Sequence, residues 1–117
     1  MKLSEIIDVL DASIWVGEDQ LDKEFSIAGA ADLMSDILAK LAEGCIFMTG
    51  LVTVQSIRTA AVSGVGAVVF VRDKKPPPEI IEMAREEEIP LLSTPCSMFV
   101  SCGRLHASGL TGLDGSR

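Results

Sequence analysis

The sequence is poor in aromatic residues and carries no excess of positive charge. Among its 117 residues there is no Tyr, one Trp and four Phe, and the formal net charge at pH 7 is −7. Proteins that bind nucleic acids neutralise phosphates with Lys and Arg, and many of them stack bases on aromatic rings. The composition therefore argues against nucleic acid as a partner.

Long hydrophobic runs are also missing from the sequence. No apolar stretch approaches the roughly 20 residues of a membrane-spanning helix, and residues 1–10 read as an amphipathic segment rather than a signal peptide. The three cysteines, Cys45, Cys96 and Cys102, are odd in number and lie in apolar or helical patterns. We therefore expect a cytoplasmic protein with reduced thiols and no membrane association.

Motifs for catalysis and metal binding are absent as well. The sequence contains no Gly-x-x-x-x-Gly-Lys-Ser/Thr phosphate loop and no paired acid and base residues of a recognisable catalytic pattern. His106 is the sole histidine, and it shares a helix face with Cys102, but two ligands do not make a zinc site. We predict no catalytic residue, no metal site and no cofactor.

What the sequence does contain is a series of short apolar runs, each followed by turn residues. The runs at 45–49, 66–71 and 89–92 do not alternate with polar residues, which is typical of strands buried on both faces of a sheet. Helical patterns separate these runs, so right-handed crossovers and a parallel sheet are expected. The predicted helices span residues 4–10, 32–41, 53–63, 79–87 and 97–108.

Two further strands are predicted nearer the N-terminus, at 13–16 and 23–28, close together at one edge of the sheet. The small residues 29–31 predict a turn after the second of them. The fold class is thus an α/β, three-layer domain with a mostly parallel sheet of four to five strands flanked by helices. We assign residues 1–109 to this single domain and expect 110–117, which lack periodicity, to form a disordered tail.

The junction after the first of the three apolar runs is the strongest candidate for a site. Thr49 and Gly50 end the predicted strand and Thr53 begins a helix, which directs free N–H groups and hydroxyls to the carboxyl edge of the sheet. Arg58 flanks this junction and is the only charged residue from 44 to 71. In the alternative interpretation, Thr53 is a simple helix cap and Arg58 is a surface or interface residue.

Other strand ends with small or hydroxyl residues would face the same edge. Together these positions form the predicted ligand-binding set: Gly29, Ala30, Thr49, Gly50, Thr53, Gln55, Arg58, Ser93 and Thr94. Ordinary turn chemistry is the alternative explanation for these residue types. The short basic stretch at 72–75 is interpreted as a solvated loop, with contact to an acidic partner or a phosphate as its alternative.

Four segments together follow the pattern of a known family. They are Ile27-Ala-Gly-Ala30, Ile46-Phe-Met-Thr-Gly50 with Thr53-Val-Gln55, Val65-Gly-Ala-Val-Val-Phe70, and Ile89-Pro-Leu-Leu-Ser-Thr94. On these segments residues 25–109 resemble the DRTGG domain family, which is related in fold to the N-terminal domain of HPr kinase/phosphatase. The family's Asp-Arg-Thr after the glycine is here Leu51-Val52-Thr53, and its Gly-Gly after the next strand is replaced within 71–73.

The resemblance implies a non-catalytic regulatory or interaction module, homodimeric, that senses a small anionic ligand such as a nucleotide. Similar stand-alone proteins are found mainly in anaerobic bacteria, with genes near iron-hydrogenase genes, so an association with hydrogenase-related proteins is also implied. The alternative is an enzyme, or a subunit of one, that acts on phosphorylated substrates. That alternative rests only on kinase and acyltransferase relatives of the fold.

Overall fold

The computed structural model describes residues 1–39 and 43–113, without the side chains of residues 37–39. Its helices are α1 (Leu3–Leu10), α2 (Met34–Ala39), α3 (Val54–Val62), α4 (Pro78–Glu86) and α5 (Met98–Ala107). Its strands are β1 (Ser13–Val16), β2 (Ala28–Ala30), β3 (Ile46–Thr49), β4 (Ala67–Phe70) and β5 (Leu91–Ser93). None of the helices in these residues is long and apolar enough to cross a membrane.

The strands form one sheet in the order β1-β5-β4-β3-β2. Strands β2, β3, β4 and β5 are parallel to their neighbours, whereas β1 runs antiparallel to β5. The predicted class, an α/β domain with a mostly parallel sheet, is confirmed. The three apolar runs of the sequence correspond to β3, β4 and β5, the three central strands.

Helices cover both faces of this sheet and complete the three layers. Every residue of β3 and β4 is buried. On one face, Phe47 and Phe70 pack with Ile57 of α3 and Ile80 of α4. The other face packs against α1 and α5. Each fully buried aliphatic or aromatic side chain contributes about 1.5–3 kcal/mol to folding. Packing in these two cores therefore holds the central strands in place.

Helices α3 and α5 begin where their capping residues predict, whereas α1 begins at Leu3 with Lys2 rather than Ser4 as its N-cap, and α2 begins at Met34 rather than at Asp32. The Thr53 hydroxyl accepts a hydrogen bond from the Ser56 backbone nitrogen at 3.1 Å, and α3 follows. The Ser97 hydroxyl does the same for Val100 at 3.2 Å, and α5 follows. Helix α4 starts at the last residue of the proline run, where a missing N–H costs nothing. Helix α2 was predicted to reach residue 41, but 40–42 lie outside the described residues.

The prediction for the second N-terminal strand is wrong in its residue range and in its location within the sheet. The strand comprises Ala28–Ala30, and residues before it form only isolated bridges, Lys2 with Glu24 and Ile27 with Thr111. The alternation at 23–28 has another cause, because Phe25 enters one core and Ile27 packs against the other. Strands β1 and β2 also lie at opposite edges of the sheet rather than together at one edge.

The C-terminal segment is packed as far as the structure describes it. Leu110 is buried in the core beneath α5, and the backbone of Thr111 lies alongside β2, accepting from the Ala28 nitrogen at 2.8 Å. Leu113 covers Gly29, where an added Cβ would lie 2.9 Å from the leucine side chain. Residues 110–113 are therefore not a disordered tail, because two leucines find apolar surface there. Residues 114–117 lie outside the described residues.

We expect the contact between Gly29 and Leu113 to appear as an energetic coupling. Gly29→Ala should lower the free energy of unfolding by about 1 kcal/mol, because its methyl group displaces Leu113. The cost should be markedly smaller in a Leu113→Ala background, which leaves room for the methyl group. Urea denaturation of the wild type, both single variants and the double variant measures the coupling. Additive effects would show that Leu113 does not cover Gly29.

Candidate functional site

The carboxyl ends of the four parallel strands meet at one edge of the sheet. The register pairs Met48 with Ala30, Thr49 with Phe70, and Phe70 with Ser93, so the turns after these strands are neighbours. Ligands of open α/β sheets bind outside the carboxyl ends of the strands. The turn after β3 lies at the centre of this edge.

A carboxylate from the neighbouring turn organises the turn after β3. Asp32 lies two residues beyond β2, and its Oδ1 accepts a hydrogen bond from the Gly50 backbone nitrogen at 2.8 Å. The same oxygen accepts one from the Thr49 hydroxyl at 3.2 Å, and that hydroxyl accepts from the Leu51 nitrogen at 3.1 Å. Thr49 is fully buried, whereas Asp32 is exposed. An exposed acidic side chain thus fixes the backbone of this turn through hydrogen bonds.

Two positively charged side chains from the turn after β4 lie close to the same glycine. Lys74 donates its Nζ to the Gly50 carbonyl oxygen at 2.7 Å. A Cβ placed on Gly50 would lie 3.1 Å from Arg72 Nη2, 3.5 Å from Lys74 Nζ and 3.4 Å from Asp32 Oδ1. The Arg72 side chain has no hydrogen bond or ion pair with any residue in the described ranges. The space above Gly50 is therefore bordered by two positive groups and one negative group.

The backbone that carries Arg72 is left-handed. Arg72 has φ 60° and Asp73 has φ 57°, a conformation that costs a residue with a side chain about 1–3 kcal/mol. Two hydrogen bonds hold it, from the Arg72 nitrogen to the Cys96 oxygen at 2.8 Å and from the Asp73 nitrogen to the Thr94 oxygen at 2.7 Å. These bonds tie the turn to the segment after β5 and fix the direction in which Arg72 leaves the chain.

A cavity of about 280 Å³ lies beside this turn. Its lining comes from all three neighbouring segments: Asp32, Val71, Arg72, Ser97, Met98 and Phe99. Ser97 is the N-cap of α5, and the first N–H groups of a helix have no partner within it. Phe99 is 87% exposed, an unusual degree for a phenylalanine. The cavity therefore combines donors for an anion with an open aromatic face.

The hydroxyls predicted to line the edge are used within the protein. Ser93 accepts a hydrogen bond from Trp15 Nε1 at 2.9 Å. Thr94 donates to the Leu10 carbonyl oxygen and accepts from the Cys96 nitrogen. Thr53 caps α3, as the alternative interpretation proposed. Only Thr49, among these four, lies in the turn with Gly50.

The remaining predicted residues lie in other places. Gln55 and Arg58 are on the exposed side of α3 and line a separate depression with Thr59 and Val62. Leu113 covers Gly29, and Ala30 borders a small, mostly apolar cavity that α5 closes from the other side. The structure brings together Thr49 and Gly50 of the predicted set, and it does not place Arg58 among the groups that border Gly50.

The predicted ligand-binding set did not include Asp32, Arg72 or Lys74. Asp32 was interpreted only as a helix start, and residues 72–75 as a solvated loop, with contact to an acidic partner or a phosphate as the alternative. The usable signal was their position, because Asp32 and Arg72 each lie two residues beyond a parallel strand. Charged residues at that distance from adjacent strands meet at the same edge of a sheet.

Cys45 and Cys102 are not activated thiols. Burial raises the pKa of the Cys45 thiol to about 12 and also raises the pKa of Cys102. Both are therefore protonated at neutral pH, and a protonated thiol is a poor nucleophile and a poor metal ligand. Within residues 1–39 and 43–113, no group of three or more His, Cys, Asp or Glu side chains is placed to hold a metal ion.

Comparison with models of protein families shows to which family this chain belongs. The model of the DRTGG domain matches residues 5–108. The chain belongs to the DRTGG domain family. The match begins well before the residues that carried the resemblance and includes most of α1 and all of β1, so those N-terminal elements are part of the domain.

A solved structure has the same fold as this DRTGG domain. It contains the CBS and DRTGG domains of the regulatory region of Clostridium perfringens pyrophosphatase, complexed with the activator diadenosine tetraphosphate. The TM-score is 0.75 at 22% sequence identity, and the similarity covers 99% of this chain and 50% of the other. The chain thus spans half the length of that neighbour. A search of curated proteins found no match.

We expect glycine at position 72 to be tolerated by the DRTGG domain. Arg72→Gly relieves left-handed strain of about 1–2 kcal/mol and loses about 0.5–1 kcal/mol of chain entropy. The free energy of unfolding should therefore stay equal or rise by up to about 1.5 kcal/mol. Arg58→Gly, within α3, is the matched control and should cost about 1 kcal/mol. Urea denaturation measures both, and a clear loss of stability in Arg72→Gly would contradict the strain argument.

Proposed function

We propose that this DRTGG domain is a regulatory module without catalytic activity, which binds a small anionic ligand such as a nucleotide at the cavity beside Gly50. The observation that carries the proposal is the Arg72 guanidinium, which borders Gly50 and has no partner among the described residues. An arginine held in place by a strained backbone, and left without a counter-ion, is suited to an incoming anion.

The groups around the cavity match the chemistry of a phosphate. A guanidinium offers paired N–H donors that fit phosphate oxygens, and Lys74 adds a second positive charge. The first turn of α5 adds backbone N–H groups and the positive end of the helix dipole. This local positive site lies in a protein whose net charge is −7, so it would attract an anion that the rest of the surface repels.

The cavity also suits the rest of a nucleotide. Its volume of about 280 Å³ is near the lower end of roughly 300–1,000 Å³ for small-molecule sites. It would accept a phosphate group and leave a base outside, where the exposed ring of Phe99 offers a stacking surface. A base stacked on an aromatic ring contributes about 1–3 kcal/mol in single-stranded nucleic-acid complexes. The ligand class we propose is therefore a phosphorylated nucleoside.

Several features support a regulatory rather than an enzymatic role. The one hydroxyl beside Gly50, that of Thr49, is fully buried and bonded to Asp32. Neither a base paired with a nucleophile nor a metal cluster is found among the described residues around the cavity. The structural neighbour comes from the regulatory region of an enzyme and was solved with a nucleotide activator. The alternative of catalysis on phosphorylated substrates has no comparable observation in its favour.

The test is a calorimetric titration with four probes: diadenosine tetraphosphate, ATP, AMP and inorganic tripolyphosphate. We expect wild-type protein to bind at least one nucleotide and Arg72→Gly to weaken that binding by about 10-fold or more, the usual effect of losing a charged hydrogen bond. Asp73→Gly introduces the same glycine one residue later and should retain binding. Arg58→Ala removes the same charge on α3 and should also retain it.

The outcomes separate the two arginines. A loss of binding in Arg58→Ala, with Arg72→Gly unaffected, would move the site to the outer surface of α3. Absence of heat and of thermal stabilisation with every probe would contradict ligand binding altogether. Phe99→Leu should weaken the binding of nucleotides and leave the affinity for tripolyphosphate unchanged, because only the nucleotides carry a base. If Phe99→Leu changed the affinity for nucleotides and for tripolyphosphate equally, the base would not stack on Phe99.

We propose in addition that the domain forms a homodimer through the outer surface of α3. Val62 is 76% exposed there and lies beside the depression formed with Gln55, Arg58 and Thr59. Contact of this side chain with its counterpart in a second copy would remove its apolar surface from water. In this arrangement Arg58 would be an interface residue, as its alternative interpretation had it.

Light scattering after size exclusion tests the dimer. The wild-type protein should elute with twice the mass of the 12.4 kDa chain, and Val62→Glu should raise the dimer dissociation constant by about 10-fold or more, because it buries an unpaired charge. Leu33→Glu is the control, since Leu33 is also exposed but precedes α2 at another part of the surface. A monomeric wild type, or a monomer produced by Leu33→Glu alone, would contradict this interface.

A further inference from the structure

The carboxylate of Asp32 occupies the position that the oxygen of a bound anion would take. The Gly50 nitrogen at 2.8 Å and the Thr49 hydroxyl at 3.2 Å both donate to the same oxygen, Oδ1. Two donors converging on one anionic oxygen are the arrangement by which turns hold phosphate groups. We infer that Asp32 is an internal competitor for the ligand, which must leave the turn when the ligand binds.

The charges around the turn favour this exchange. Arg72 and Lys74 border the same space as Asp32 Oδ1, yet neither forms an ion pair with that carboxylate within the described part of the chain. Asp32 thus satisfies the two neutral donors and pairs with neither cation: Lys74 bonds only to the Gly50 carbonyl oxygen, and Arg72 has no partner in the described ranges. An anion with several oxygens, such as a polyphosphate, would bond to the neutral donors and to both cations together. It would therefore outcompete a carboxylate that reaches only half of the site.

The attachment of Asp32 to the protein lets it move. Asp32 is exposed, and it lies on the short connection between β2 and the six-residue helix α2. Leu33, the next residue, is 66% exposed, so the freedom to move is confined to residues 32–33, between Ala31 and Met34, which pack against the core. Displacement of Asp32 would cost two hydrogen bonds and would release the start of α2. Ligand binding would in this way be coupled to the position of α2, which is the kind of output a regulatory domain needs.

An alternative role for Asp32 predicts the opposite sign. If Asp32 accepted a hydrogen bond from the ligand, for example from a ribose hydroxyl, its removal would weaken binding. As a competitor, its removal strengthens binding. The direction of the change in affinity therefore distinguishes the two roles, and hydrogen exchange at α2 tests the displacement itself.

The inference rests on the proposed function, and titrations with inorganic tripolyphosphate test both. We expect Asp32→Asn to bind this probe about fivefold to tenfold more tightly than wild type, because a charge that repels the probe at close range is removed. Asp36→Asn removes the same charge from the first turn of α2, away from the Gly50 turn, and should change affinity by less than about twofold. Asp32→Ala, which removes the acceptor as well, should also bind more tightly than wild type.

The possible results separate the inference from the proposed function. Binding by wild type together with equal or weaker binding by both Asp32 variants would overturn the competitor role and leave the ligand site standing. Binding that appears only in the Asp32 variants would support the competitor role directly. If neither wild type nor any variant binds tripolyphosphate or a nucleotide, both proposals fail, because an emptied turn would then have no affinity for an anion.

Hydrogen exchange supplies a second reading on the coupling to α2. Added tripolyphosphate should speed amide exchange in residues 31–36 of the wild type, since Asp32 no longer ties this segment to the Gly50 turn. In the Asp32→Ala variant, amide exchange in residues 31–36 should be fast before the probe is added and should change little afterwards. Slower or unchanged exchange at 31–36 in a wild type that binds the probe would contradict the displacement of Asp32.

Discussion

Burial of the central strands on both faces is the constraint on which the rest of this structure depends. All residues of β3 and β4 are buried, so neither strand has room for a charged side chain along its length. Polar chemistry is therefore confined to the turns where the strands end. Because the strands are parallel, those turns gather at one edge, and the charges of Asp32, Arg72 and Lys74 meet there without any of them belonging to a common motif.

The fold was predictable because burial leaves a direct trace in the sequence. Uninterrupted apolar runs identified β3, β4 and β5, and hydroxyl residues such as Thr53 and Ser97 identified the helix starts. The edge strand β2 was misplaced since its residues, Ala28–Ala30, are small and resemble a turn. What fixes β2 is pairing with β3 on one side and the contact of Leu113 on the other. Neither partner is local in sequence, so local patterns do not reveal it.

The site was predictable only in part, for a related reason. Thr49 and Gly50 were found because they follow an apolar run directly. Arg58 attracted attention because it is isolated in the sequence, but five residues beyond the helix cap it projects from the outer side of α3. Arg72 reaches Gly50 because the register pairs Thr49 with Phe70 and so sets the two turns side by side. Charge clusters created by strand register become visible only when the register is known.

The position of that guanidinium bears on how this chain differs from the family pattern. The Asp-Arg-Thr that the pattern places after Gly50 is here Leu51-Val52-Thr53, so the turn after β3 carries no arginine. The Gly-Gly after the next strand is replaced within residues 71–73, where Arg72 and Asp73 adopt left-handed backbone, a conformation that glycine adopts without strain. An arginine placed there costs stability, and the hydrogen bonds to Cys96 and Thr94 hold it in spite of that. In this chain a positive charge thus reaches Gly50 from the neighbouring turn, which is why the proposed ligand site lies beside the strained Arg72 rather than beside the isolated Arg58.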